Sequence, residues 1–230
     1  KTAYDADKTS IFGGIVAANR EIDLETAQML KPIFLEIVMA PSFAPDALEL
    51  LCTKKNLRVL KVDMSKDNTV RKQYVSMNGG MLVQDRDINT KPVSAEQCVT
   101  EAKPTAEQLA DLEFAWKIVK HVKSNAIVVA KNGMTYGVGA GQMNRIGSAE
   151  IALKQAQATL KEEGKDIMTE GLVLASDGFF PFNDCVALAA EYGIKAIVQP
   201  GGSIRDEDSV NLADEKGITM LFTGERHFKH

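Results

Sequence analysis

Between Thr105 and Thr223, short apolar β-rich runs alternate with longer stretches of helical periodicity, and this alternation limits the possible folds more than any other feature. The segment "NAIVVAKNGMTYGVGAG" reads as two strands around Asn132-Gly133, a dipeptide that favours a tight hairpin turn. A helix follows from about Ile146 to Gly164. Then come a strand in "GLVLASD", a helix in "DCVALAAEYG", a strand in "IKAIVQPGGS", a helix in "IRDEDSVNLADEKG" and a strand in "ITMLFT". The helix before this series opens with Thr105-x-x-Gln108, a capping-box pattern, and places Leu109, Leu112, Trp116 and Val119 on one face. Strands and helices of these lengths in alternation predict a layered α/β fold with mixed sheets.

Upstream, "FLEIVMA" reads as a strand, Pro45 to Cys52 as a helix and "LRVLKV" as a second strand. "RKQYVSMNGGMLVQDRD" reads as a hairpin turning at Asn78-Gly79-Gly80. The stretch "INTKPVSAEQCVTEAKPT" has two prolines and little periodicity, so residues 91–104 are the expected linker between an upstream unit, 1–90, and a downstream unit, 105–230. A chain of 230 residues can bury a sizeable core. Its net charge of −4 disfavours nonspecific nucleic-acid binding, which wants a basic face. Three unevenly spaced cysteines without a CxxC read as reduced thiols in a cytoplasmic protein. No apolar run reaches the ~18 residues that span a bilayer, so no membrane partner is expected. The opening "KTAYDADKTSIFGG" has no initiator Met and reads as a piece of a longer polypeptide, truncated within its first unit.

Several stretches admit both a functional and a purely structural role. "GVGAGQ" has glycines at 137, 139 and 141, but Gln142 occupies the third dinucleotide-binding position and no P-loop lysine follows. From spacing alone a tight strand-to-helix turn is favoured over a ligand loop. Arg145, near a helix start, is either an anion ligand or an exposed arginine. Loops at Gly139, Phe180 and Gly202 each follow a strand, the position where open α/β sheets bind ligands. "ASDGFFPFND" fits neither a buried strand, because of Pro181, nor a solvated turn, because of Phe179, Phe180 and Phe182. It reads as a loop on which something flat rests. Asp184 can cap the helix it precedes, and Asn125 can end the one before it. "GERHFKH" could be a solvated tail, yet Phe228 has no reason to be there if it floats. Neither H-x-E with P-C-x-x-C nor Gly-x-Ser-x-Gly occurs, so zinc deaminase and serine hydrolase chemistry lack their motifs.

The segments "SIFGGIVAANREID", "APSFAPDALELL", "KSNAIVVAKNGMTYGVGAGQMNRIGSAEIA", "ASDGFFPFNDCVALAAEYGIKAIVQPGGSIRDE" and "FTGERHFKH" together resemble the AICAR transformylase region, C-terminal part, of the bifunctional family that pairs AICAR transformylase with IMP cyclohydrolase. The resemblance implies zinc-free, cytidine-deaminase-like α/β units that need no metal for catalysis. It also implies formyl transfer from the co-substrate 10-formyltetrahydrofolate to the 5-amino group of AICAR ribonucleotide in purine (IMP) biosynthesis, and a homodimer with sites at the interface.

Position by position, the resemblance makes Gly13, Glu36, Asn125, Phe179 and Arg226 contacts for AICAR. Asn125 is also a catalytic-centre residue, and the family also uses aspartate where Glu36 stands, either carboxylate being able to accept from ribose hydroxyls. Arg145, Ile146, Asp184, Ser203 and Ile204 become folate-site residues. The family's adjacent Lys-His pair, its main proton acceptor, lies in an upstream stretch that this sequence lacks, and Lys120-His121 is not that pair. The chain alone is therefore expected to bind weakly and turn over negligibly. The other reading is a noncatalytic nucleotide- or folate-binding module that kept the cleft.

Overall fold

A computed structural model describes residues 1–63, 71–88 and 91–230. Contacts divide the chain into two compact units, Lys1–Arg86 and Asp87–His230. In the first, the elements are α1 (Thr2–Ala6), β1 (Gly14–Ala17), α2 (Leu24–Leu30), β2 (Leu35–Ala40), α3 (Pro45–Cys52), β3 (Arg58–Lys61) and the strands β4 (Lys72–Met77) and β5 (Gly80–Asp85). β1, β2 and β3 form a parallel sheet with β2 in the middle. Asp23 caps α2 by accepting from the Thr26 amide at 2.8 Å, and Pro45 takes the first turn of α3, where its missing N–H leaves nothing unpaired. Ile22, Ala27, Leu35, Val38, Ala47 and Leu51 are the centre of this core. β4 and β5 pair antiparallel from Lys72↔Asp85 to Met77↔Gly80, and the hairpin turns at Asn78-Gly79.

The second unit holds α4 (Ala106–Val119), β6 (Ile127–Lys131), β7 (Met134–Gly139), α5 (Arg145–Glu162), α6 (Ile167–Glu170), β8 (Val173–Ser176), α7 (Asp184–Glu191), β9 (Ala196–Gln199), α8 (Asp206–Lys216) and β10 (Thr219–Phe222). The sheet order is β10-β9-β8-β6-β7. β8, β9 and β10 run parallel, and β6 is antiparallel to both of its neighbours, so the sheet is mixed as expected. The Thr105 capping box forms, with Thr105 and Gln108 each bonding the other's backbone amide. The hairpin turn falls on Asn132 and Gly133, both at positive φ.

The pleat sorts the side chains of this sheet between two helical layers. Val128, Ala130, Val173, Ala175, Ala196 and Val198 pack with Leu112, Ala115, Trp116 and Val119 of α4. Their neighbours Ile127, Val129, Leu172, Leu174, Ile197 and Met220 pack with the apolar faces of α5, α7 and α8.

The expected linker at 91–104 falls inside the second unit, whose boundary lies after Arg86. Val93 and Thr100 are buried, Cys98 bridges to Leu221, and the Val99 amide donates to the Met220 carbonyl at 2.9 Å. Two prolines correctly mark irregular backbone here. That backbone nevertheless satisfies its polar groups along the edge strand β10 and so becomes part of the fold.

Candidate functional site

The sheet topology of the second unit brings distant segments to one edge. β8, β9 and β10 end there, so the loops after Ser176, Gln199 and Phe222 emerge side by side. β6 begins at the same edge, because Ile127 pairs with Ser176, and β7 ends there, because Gly139 pairs with Ile127. The three loops singled out in the sequence, at Gly139, Phe180 and Gly202, therefore share one rim. Gln199, a fully buried residue that no sequence pattern marks, ties two of them together. Its Oε1 accepts from the amides of Phe180 (3.4 Å) and Gly201 (3.0 Å).

A cleft of about 400 Å³ opens on this rim, lined by Asn125, Met143, Asn144, Arg145, Phe179, Pro181 and Phe228. Arg145, the first residue of α5, is buried rather than exposed, and its guanidinium is already engaged. Nη1 pairs with the fully buried Asp177 carboxylate and donates to Ser176 Oγ at 2.9 Å, while Nη2 donates to Asn125 Oδ1 at 2.9 Å. Asp177 also accepts from Ser124 Oγ (2.5 Å) and the Ala126 amide (3.1 Å), so the buried negative charge is matched on every side. Gly178 is required here, since a Cβ would lie 2.5 Å from Arg145 Nη2 and 2.8 Å from the Phe228 ring.

The same contacts fix the orientation of the Asn125 amide. Arg145 can only donate, so it must face Oδ1. The Gln142 carbonyl can only accept, so it must face Nδ2, at 2.9 Å. One N–H of Asn125 remains for a ligand. Asn125 thus presents a donor to the cleft and does not act as a base. None of the residues lining the cleft is a histidine, aspartate or glutamate.

The aromatic loop divides its labour. Phe180 is fully buried in the core and anchors the loop. Phe179 lines the cleft, and the Arg226 guanidinium lies over its ring at 5.2 Å, within cation–π reach. Phe182 is half exposed and carries Arg205 over its ring at 5.2 Å, which joins this loop to the one after β9.

The remaining expected residues are more dispersed. Ile146 packs half-buried against the core beside Arg145. Asp184 does not cap α7, whose N-cap is Asn183, but lies in its first turn, the other structural role open to it, with its Oδ1 accepting from the Cys185 amide at 2.8 Å. Ser203 Oγ accepts from the Arg205 amide at 3.1 Å, and Ile204 is fully exposed. Asp184, Ser203 and Ile204 lie on the same rim but outside the lining of the cleft. Gly13 and Glu36 belong to the first unit. Gly13 sits at positive φ with its amide donating to Phe34 O at 2.8 Å, and Glu36 on β2 accepts from Arg58 at 2.7 Å.

Two glycines of "GVGAGQ", Gly137 and Gly139, turn out to be packing residues. A Cβ at Gly137 would lie 1.8 Å from Ala152 O, and one at Gly139 would lie 1.9 Å from Ser148 O, because α5 presses directly on β7. The tight turn favoured from spacing fits Gly141, at positive φ, whereas close packing on α5 is what Gly137 and Gly139 serve. Lys120 and His121 line a different, smaller cavity with Lys91, Trp116, Lys117, Glu225 and His227. Burial, with the charges of Lys229 and Lys120, lowers the His121 pKa below its ordinary value. All three cysteines are free, and burial with the nearby Asp184 charge pushes the Cys185 thiol up to about 12. Among the described residues no group of three or more His, Cys, Asp or Glu is placed to hold a metal, and no helix is long and apolar enough to cross a membrane.

Comparison with known proteins adds the following. The family model described as AICARFT/IMPCHase bienzyme matches residues 1–155. The bifunctional purine biosynthesis protein PurH of Anoxybacillus flavithermus is 58% identical over 228 residues, which is 99% of this chain and 43% of that protein. The PurH of Lactobacillus delbrueckii subsp. bulgaricus is 56% identical over 230 residues, with the same shares. The chain thus spans less than half the length of these relatives. Among solved structures, a guanine deaminase from Nitrosomonas europaea overlaps 56% of this chain and 81% of its own at 19% identity. Its TM-score of 0.36 is too low to carry weight.

Proposed function

The chain belongs to the AICARFT/IMPCHase bienzyme family, and from that premise we propose that it is a formyl-transfer part of such a bienzyme, carrying most of a site for AICAR ribonucleotide and 10-formyltetrahydrofolate. The observation that carries this reading is the cleft at the sheet edge. There Asn125, Arg145, Phe179 and Arg226, which the sequence resemblance assigns to the two ligands, converge from segments up to about a hundred residues apart. Cytidine-deaminase-like units, a homodimer with shared sites and a cytoplasmic location belong to the same proposal.

The reaction forms a bond between the AICAR amine nitrogen and the formyl carbon and breaks the bond from that carbon to N10 of the folate. One proton leaves the amine and one is delivered to N10. Negative charge develops on the formyl oxygen in between, and a preorganised N–H donor stabilises it because it needs no reorientation. Asn125 fits that role, since its orientation is fixed and one N–H is left over. Phe179 offers a flat face to the planar imidazole, and Arg226 brings a cation to the nucleotide's anionic end. The residues that line the cleft include no histidine, aspartate or glutamate, so Asn125 is assigned charge stabilisation and not proton removal.

The test is made in a full-length bienzyme containing this chain, with both activities measured. Asn125→Ala is expected to lower kcat for formyl transfer by about 100-fold or more, the usual cost of one oxyanion donor, and to leave IMP cyclohydrolase activity unchanged. The opposite pattern, with cyclohydrolase lost and formyl transfer spared, overturns the reading. Full formyl transfer by the 230-residue chain alone would instead show that formyl transfer needs no proton acceptor from outside it. Tight ligand binding by the full-length protein without turnover would instead establish the binding-module reading.

A further inference from the structure

Resting on that reading, we propose that His227 and Asp87 form a latch whose function is to hold Arg226 and Phe228 against the ligand cleft. The segment from Gly224 to His230 has no regular secondary structure, yet its side chains are sorted in alternation. Glu225, His227 and Lys229 make the anchoring contacts. Lys91 Nζ meets Glu225 Oε1 at 2.7 Å, and Lys229 Nζ donates to the His121 carbonyl at 3.2 Å. Arg226 and Phe228 point the other way, Arg226 over the Phe179 ring and Phe228 into the cleft wall. An extended chain turns successive side chains to opposite sides, so whatever fixes one set fixes the other.

His227 is the centre of the anchored set. It is 3% exposed, its ring packs on Trp116 with centroids 4.6 Å apart, and its Nδ1 lies 2.5 Å from Asp87 Oδ2. Asp87 is braced in turn by Lys120 at 3.3 Å. The backbone continues the connection into the catalytic rim. The His227 amide donates to the Asp177 carbonyl at 3.0 Å, the Ser124 amide donates to the Lys229 carbonyl at 2.8 Å, and the Lys229 amide donates to Ser124 Oγ at 3.0 Å. Ser124 precedes Asn125 and hydrogen-bonds Asp177, the partner of Arg145. Neither His227 nor Asp87 lines the cleft, so both act as positioning residues.

The experiment again uses the full-length bienzyme, with His227→Ala, Asp87→Asn and the double variant. Asp87 is partly exposed, so Asp87→Asn keeps the test interpretable if His227→Ala folds poorly. Amide hydrogen exchange at Ser124 and Lys229 reads the latch without reference to any reaction. Exchange at these amides is expected to speed up about tenfold or more when the charge-assisted bond is lost. KM for AICAR should rise about tenfold while kcat stays within about threefold, the pattern of lost uniform binding. The double variant should be no worse than the more damaged single variant, since both break one interaction. Unchanged exchange in Asp87→Asn overturns the latch. So does a fall in kcat at constant KM, or additive effects in the double variant. If instead the unmodified bienzyme shows no formyl transfer while exchange responds as expected, the functional reading fails and the latch stands.

Discussion

In the second unit every residue of β8 and β9 is buried, whereas in the first unit the β4–β5 hairpin is exposed along its whole length. Composition does not separate the two. Tyr74, Val75, Met77, Leu82 and Val83 of the hairpin are as apolar as Val173, Leu174, Ile197 and Val198 of the larger sheet. The difference lies in cover. The larger sheet has α4 on one face and α5, α7 and α8 on the other, so both sets of alternating side chains leave water. Among the described residues of its own unit, no helix packs closely on the hairpin. Apolar strands thus specify pairing, and the helices that sandwich them specify a core.

The largest expected break in this comparison is Gly139→Ala. Its Cβ would meet the Ser148 carbonyl at 1.9 Å, a backbone atom that cannot swing aside, so α5 must lift off β7. The expected loss of stability is about 3 kcal/mol or more. It should be visible in urea unfolding followed through Trp116, the chain's single tryptophan, which reports on the second unit.

Next comes a matched pair of deletions. Phe180→Ala empties a fully buried site and should cost about 3–5 kcal/mol. Leu82→Ser, on the exposed hairpin, should stay within about 0.5 kcal/mol in the dilute chain. If denaturant midpoints show equal losses, the hairpin is covered after all and the comparison fails.

The smallest effect concerns acid. Partial burial pushes the Asp87 carboxyl up, but the hydrogen bond and charge of His227, joined by Lys120, outweigh it and leave the group below its ordinary 3.8. A lowered carboxylate contributes stability that is fully present above its unfolded value and lost as pH falls through the folded one. The stability lost in Asp87→Asn, measured by urea unfolding at successive acid pH values, should therefore hold down to about pH 4 and shrink only below it. A loss that has already vanished above that value would show that the Asp87 carboxylate does not hold the latch.

Much of the architecture was legible locally. The Thr105 capping box, the Asn132-Gly133 turn, the helix at Pro45–Cys52 and the alternation of strands and helices downstream all rest on neighbours a few residues apart, and all are found. β1 and α2 leave no clear mark in the sequence because "GIVA" and "LETAQML" are too short for periodicity to stand out from their surroundings. The cleft was legible in part. The sequence names Asn125, Arg145 and Phe179 of its lining and Arg226 beside it, but not the state of Arg145. Whether an arginine is exposed or paired depends on Asp177, which lies far along the chain and joins it only through the packing of β6 against β8.

By itself, then, the sequence determined the α/β class, the positions of most elements and the family to which the chain belongs. Short-range hydrogen bonding and residue type suffice for these. Only the tertiary structure decided that Gly137 and Gly139 serve helix packing, that the 91–104 segment edges a sheet, and that the aromatic loop splits into a buried anchor, Phe180, and a residue lining the cleft, Phe179. It also decided that the segment after Gly224 is strapped down through His227. Each of these depends on which distant surfaces meet, and close packing fixes that for the whole chain at once.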